Sequence, residues 1–123
     1  MHHILLDHSV PAPLVRHLPD HQTVHTSVIG WDELANGELL VAAEANGYAV
    51  FITSDQNIRY QQNLAGRRLS IIELNTNHWD TIRARLDLIT AALSTIQPGE
   101  YVTLAFPQPV RRRRRTPKPT LDC

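Results

Sequence analysis

The sequence predicts an α/β domain, a parallel sheet with helices on both faces, and three observations carry that prediction. Short apolar runs of strand length recur along the chain. Helix-like segments separate them, so strand and helix alternate. Most of the runs are nearly continuous in apolar residues, which is how a strand buried on both faces reads. With 123 residues, 42% of them apolar, there is room for one packed core that needs no staples.

Ile4-Leu5-Leu6 is the first strand. Pro11 and Pro13 sit where a first helical turn tolerates proline; Leu14, Val15 and Leu18 give that short helix an apolar side, and Pro19 stops it. The β-rich run Thr23 to Val28 predicts a second strand, and Gly30 to Asn36 a loop. Asn36 is a good N-cap, with Glu38 in the first turn of a helix that ends at Asn46-Gly47. Ala49 to Ile52 is a third strand, closed by Thr53-Ser54-Asp55. A polar, partly helical segment over 57–64 stops at Gly66, and Leu69 to Leu74 forms a fourth strand. Trp79, Ile82, Leu86, Ile89, Leu93 and Ile96 recur at steps of three and four, one face of a single long helix capped by Thr76 or Asn77. Pro98-Gly99 ends it, and Tyr101 to Phe106 supplies a fifth strand. The domain therefore spans residues 1–106, followed by a basic, proline-rich tail over 107–123 that need not fold.

The formal net charge of zero conceals an asymmetry. Arg111 to Arg115 and Lys118 hold six of the twelve basic residues, which leaves six against eleven acidic ones in residues 1–110, a net charge of −5. A basic tail on an acidic body suits nucleic acid or an acidic partner; a solvated terminus is the plainer reading. The apolar runs are far shorter than the roughly 18–20 residues needed to cross a bilayer. Met1-His2-His3 leads into a strand without the basic start and apolar stretch of a signal peptide. The one cysteine, Cys123, can build neither a disulfide framework nor a thiolate metal site, and a cytoplasmic protein is the expectation.

In open parallel sheets ligands bind beyond the carboxyl ends of the strands. Asp7 directly follows the first strand and Asp55 follows the third, so both fall at that edge. Glu38 joins them if its helix points back across it. Gathered carboxylates repel unless a cation or proton intervenes, and hard oxygen ligands suit Mg²⁺ or Mn²⁺. The competing reading of the same residues is structural: Asp7 caps the next helix, Glu38 satisfies a helix dipole, and Asp55 makes an Asx-type turn with Asn57.

Residues Ile4 to Pro11, Gly37-Glu38-Leu39-Leu40 with Ala43, and Phe51 to Ile58 together resemble the motifs of the PIN-like proteins of the DUF5615 type, in the same order and spacing over roughly residues 1–96. The resemblance implies a three-layer α/β/α fold with a mainly parallel five-stranded sheet and the first strand central. It also implies a Mg²⁺- or Mn²⁺-dependent ribonuclease site of the kind found in toxins of toxin–antitoxin pairs. Carried over, Asp7, Glu38 and Asp55 are catalytic metal ligands and Asn57 an outer or carbonyl ligand. Thr53 and Ser54 hydrogen-bond nearby, and His8 and Asn36 take supporting positions. His8 replaces an acidic residue usual in the family and Asn36 an aspartate found in many members. The implied chemistry is metal-assisted hydrolysis of an RNA phosphodiester, with Arg59 and Arg111, Arg112, Arg113, Arg114 and Arg115 holding the RNA backbone. Expected partners are RNA, an antitoxin protein and a second copy of the chain. The alternative is a PIN-like module with a degraded site, acting through protein or nucleic-acid binding.

Other signals are weaker. His17, His21 and His25 imitate a helical zinc ladder, but Pro19 interrupts the helix and His25 falls in a strand. A phosphoacceptor site of the receiver type lacks its acidic pair at His8 and its lysine, and phosphate-binding glycine loops are absent. Trp31, in a loop, marks either a partner surface or a lid over a strand end.

Overall fold

A computed structural model of the chain describes residues 2–58 and 66–107. The elements are β1 (His3–Leu6), a 3-10 helix (Ala12–His17), β2 (Gln22–His25), α1 (Asn36–Ala45), β3 (Val50–Thr53), β4 (Ser70–Leu74), α2 (Trp79–Ala84), α3 (Leu86–Thr95) and β5 (Tyr101–Leu104). Most of the segment expected to be partly helical, 59–64, lies outside the described residues, as does the tail from 108.

The five strands form one sheet in the order β2-β1-β3-β4-β5, and every pairing is parallel. Alternation of side chains along each strand sorts the core into two layers. Ile4, Leu6, Val50, Ile52, Ile72 and Leu74 face the 3-10 helix, α2 and α3, where they meet Leu14, Ile82, Ile89 and Leu93. Leu5, Phe51 and Ile71 face the other way, onto Leu39, Leu40 and Ala43 of α1. The central strands are apolar at nearly every position because both of their faces are covered. This is a three-layer α/β fold. β1 is interior, but the middle strand is β3, because only β2 lies on the far side of β1.

Two local expectations are corrected. The predicted second strand stops at His25, where a turn begins: the Val28 N–H donates to the His25 carbonyl and those of Ile29 and Trp31 to Thr26. Val28, expected in the strand, is 78% exposed. The long helix over 79–96 is two helices, broken at Arg85, whose φ of −136° and ψ of 51° leave the helical region. The apolar stripe survives the break, since Ile82, Ile89, Leu93 and Ile96 share one core with Trp79 and Leu86 packed against it. The spacing reports which side chains share a face; it does not report whether the backbone between them runs unbroken.

No helix among the described residues is long and apolar enough to cross a membrane. The three histidines of the apparent ladder have separate surroundings. His17 packs on Trp79, His21 accepts from the His2 N–H, and His25 lies against Ser27 and the Val10 carbonyl. Trp31 is half-buried against the α1 layer, edge-on to Tyr48.

Candidate functional site at the carboxyl edge of the sheet

Successive strands step outward in opposite directions on the two sides of the gap between β1 and β3, so the strand order reverses there. In an open parallel sheet this is where a crevice forms beyond the strand ends. Asp7 follows β1 and Thr53 ends β3, and their backbones are tied by the Asp7 N–H donating to the Ile52 carbonyl at 2.9 Å. The pairing of Leu6 with Ile52 thus puts Asp7 beside Thr53.

Asp7 is buried, 2% exposed, and both of its carboxylate oxygens are engaged. Oδ1 accepts from the His8 N–H at 2.9 Å and lies 3.0 Å from His8 Nδ1. Oδ2 accepts from Ser9 Oγ at 2.7 Å and from Thr53 Oγ1 at 2.9 Å. A carboxylate offers about four lone-pair directions; three hydrogen bonds occupy it here, and the His8 ring stands close to Oδ1. Of these contacts, the His8 ring is the one on an exposed side chain, 56% accessible against 2% for Asp7.

Thr53 Oγ1 also accepts from the Asp55 N–H at 3.0 Å, which joins the two aspartates through one buried hydroxyl. Asp55 is half-buried; its Oδ1 accepts from the Asn57 N–H at 3.0 Å and its Oδ2 from Asn36 Nδ2 at 2.9 Å. The Asx-type turn expected of Asp55 is therefore present. Ser9 bridges the two strand ends again, since its Oγ accepts from the Ser54 N–H at 3.1 Å and its carbonyl from Ser54 Oγ at 3.0 Å.

Asn36 is not the N-cap. Ala35 is, and Asn36 opens α1 with its side chain turned to Asp55. The cap is made differently: Glu38 Oε1 accepts from the Ala35 N–H at 3.1 Å, the returning half of a capping box. Glu38 shares the first turn of α1 with Asn36 and is exposed. Asn57 is exposed, and Arg59 with Arg111 to Arg115 lies outside the described residues.

One hydrogen-bonded group thus joins Asp7, His8, Ser9, Asn36, Thr53, Ser54, Asp55 and the Asn57 backbone. Glu38 engages the cap. Among the described residues no group of three or more His, Cys, Asp or Glu side chains has metal-binding geometry. Sequence reasoning missed Ser9 as the cross-link, although an Asp-x-Ser spacing after a strand is a signal for it. It also missed Glu73, which is paired with Thr53 across β3 and β4, is 3% exposed, and accepts from the Tyr101 hydroxyl.

Comparison with family models, curated proteins and solved structures finds no match.

Proposed function

We propose that this chain is a divalent-metal-dependent ribonuclease of the PIN-like kind, hydrolysing RNA phosphodiesters as the toxin of a cytoplasmic toxin–antitoxin pair. The observation that carries the proposal is the Thr53 hydroxyl, which ties Asp7 and Asp55 together at the point where the strand order reverses. The oxygens around it are carboxylate and hydroxyl, a set that fits Mg²⁺ or Mn²⁺. Asp7 and Asp55 would hold the ion, with Glu38 reaching it on release from the Ala35 N–H. The exposed His8 ring is the contact that must yield at Asp7 Oδ1. When bound, such an ion supplies a water of lowered pKa and neutralises charge on the attacked phosphate.

The chain's own residues then position and exclude. Ser9 and Thr53 fix the Asp7 carboxylate against the sheet, and Asn36 and the Asn57 N–H orient Asp55. Burial of Asp7 keeps bulk water from its inner oxygen. Phosphate contacts from Arg59 and the arginine tail would make RNA affinity fall steeply with salt.

A second reading has its own observation. The three hydrogen bonds to the Asp7 carboxylate, the His8 ring beside it, and the use of Glu38 as a cap favour a PIN-like module whose site no longer binds metal and which acts by association. Incubation of purified protein with single-stranded RNA and Mn²⁺, alongside Asp7→Asn and Asp55→Asn, tests the first reading. It expects cleavage by the wild type and loss in both variants. Cleavage that persists in the variants refutes it. Absence of both cleavage and saturable Mn²⁺ binding removes the first reading and leaves the second.

A further inference from the structure

A cavity of about 410 Å³ opens at the opposite, amino edge of the sheet, lined among others by Glu44, Tyr48, Ala49, Arg68 and Pro98. Its volume is in the range of small-molecule pockets, which run from roughly 300 to 1,000 Å³. A lobe of about 70 Å³ shares Ala49, Arg68 and Pro98 with it, so Arg68 stands between the two spaces. None of these residues belongs to the carboxyl-edge site.

The segment carrying Arg68 is held on several sides. Its N–H donates to Glu44 Oε2 at 3.0 Å, and its carbonyl accepts from the Gly99 N–H at 3.0 Å. Its neighbour Arg67 donates to Glu44 Oε1 at 2.7 Å. Burial opposes the ionisation of Glu44, but the Arg67 guanidinium and the N–H groups of Arg68 and Leu69 outweigh it and lower its pKa. Glu44 therefore reaches the cavity with its charge already matched by Arg67. The Arg68 guanidinium, in contrast, is exposed and has no hydrogen-bond or ion-pair partner among the described residues. The Tyr48 hydroxyl is likewise without a hydrogen-bond partner among them. Burial raises the Tyr48 phenol above its usual value, so it remains an O–H donor at neutral pH. The Tyr48 ring is fixed by the His3 ring, 4.1 Å away between centroids, and by the edge of Trp31.

Two residues with unused donors, one of them cationic, thus line a cavity whose remaining walls include Ala49, Leu69 and Pro98. An oxyanion is the natural partner of either donor, and a planar guanidinium suits a carboxylate or a phosphate oxygen pair. We propose that this cavity binds a small organic anion, its carboxylate or phosphate head on Arg68 and the Tyr48 hydroxyl and its compact body against the apolar walls. The site is independent of the nuclease reading, because it shares no residue with it.

Calorimetric titration of the full-length protein with uridine 5′-monophosphate, benzoate, inorganic phosphate and neutral uridine tests the proposal, with Asp7→Asn as a background that leaves this edge untouched. Saturable binding of either organic anion is expected, and whichever binds more tightly identifies a phosphate or a carboxylate head. Arg68→Gln should weaken that binding about tenfold and Tyr48→Phe about threefold, as loss of a charged and of a neutral donor requires. Thermal melts would show that both variants stay folded. Absence of binding by both organic anions overturns the proposal. So does affinity retained in Arg68→Gln, uridine binding as well as its monophosphate, or inorganic phosphate binding as tightly as the organic anions.

Discussion

Thr53 Oγ1 donates to Asp7 Oδ2 at 2.9 Å and accepts from the Asp55 N–H at 3.0 Å, so a single hydroxyl links the Asp7 carboxylate to the Asp55 backbone. Thr53 is fully buried, and no water can take over its two bonds without a rearrangement. Thr53→Val keeps the shape but leaves a buried carboxylate one donor short and a backbone N–H unpaired. The expected cost is roughly 1–3 kcal/mol in a urea melt. Thr53→Ser, which keeps the hydroxyl, should recover most of it. Equal stability of the valine variant and wild type would show that the bridge contributes nothing.

His8 Nδ1 lies 3.0 Å from Asp7 Oδ1 while its side chain is 56% exposed, so the ring covers Asp7 without being packed in place. His8→Ala removes the competitor and leaves Ser9 and Thr53 on the other oxygen. Mn²⁺ binding, followed by calorimetry, should strengthen by severalfold in this variant. An unchanged affinity would mean that the His8 ring does not guard the carboxylate.

Glu44 ties the end of α1 to the segment before β4 through Arg67 and the Arg68 N–H. Its folded pKa lies below the ordinary 4.5, so the unfolded chain takes up a proton first as the pH falls. The stabilisation is complete above about 4.5 and is lost on acidification through the lower folded value. Glu44→Gln should be less stable than wild type by about 1 kcal/mol at pH 7, because the pair is only partly buried. The gap should close toward pH 3, measured by urea midpoints across the acid limb. A gap constant with pH would place the effect in packing and leave no share for charge.

The layers and the ends of β1 and β4 were legible in the sequence because burial on both faces writes continuous apolar runs, and Ile4-Leu5-Leu6 shows both layers in three residues. Asp7 and Asp55 were placed at one edge by the same logic, and the shared Thr53 hydroxyl joins them there. The cap made by Glu38 was not legible, since an acidic residue in a first turn serves a cap or a site equally well, and it is the bond from the Ala35 N–H that shows the cap. Asn36 read as a cap because cap preference is a local statistic, whereas its bond to Asp55 spans 19 residues. The break at Arg85 was hidden for a related reason: the apolar stripe continues across it, and what marks the break is a backbone angle and a surface ion pair with Asp87. Glu73 read as part of an apolar strand; its partner, the Tyr101 hydroxyl, comes from the next strand of the sheet.

Gly99 adopts φ of +78°, and a Cβ built on it would lie 2.8 Å from the Arg67 carbonyl oxygen, a distance that real Cβ contacts do not reach. Both the left-handed backbone and the close approach require glycine here. Gly47 isolates the first effect, because its φ is +82° and an added methyl would meet nothing within 4 Å. Gly47→Ala should therefore cost only the conformational part, roughly 1–2 kcal/mol. Gly99→Ala adds a clash with backbone that the Arg68 carbonyl and the Glu44 contacts hold in place, so it cannot relax by turning a side chain. Its loss of stability in urea melts should exceed that of Gly47→Ala by about 1 kcal/mol or more. Equal losses in the two variants would mean that the Pro98-Gly99 turn is free to move away from Arg67, and the anchoring of the amino edge would be weaker than its hydrogen bonds imply.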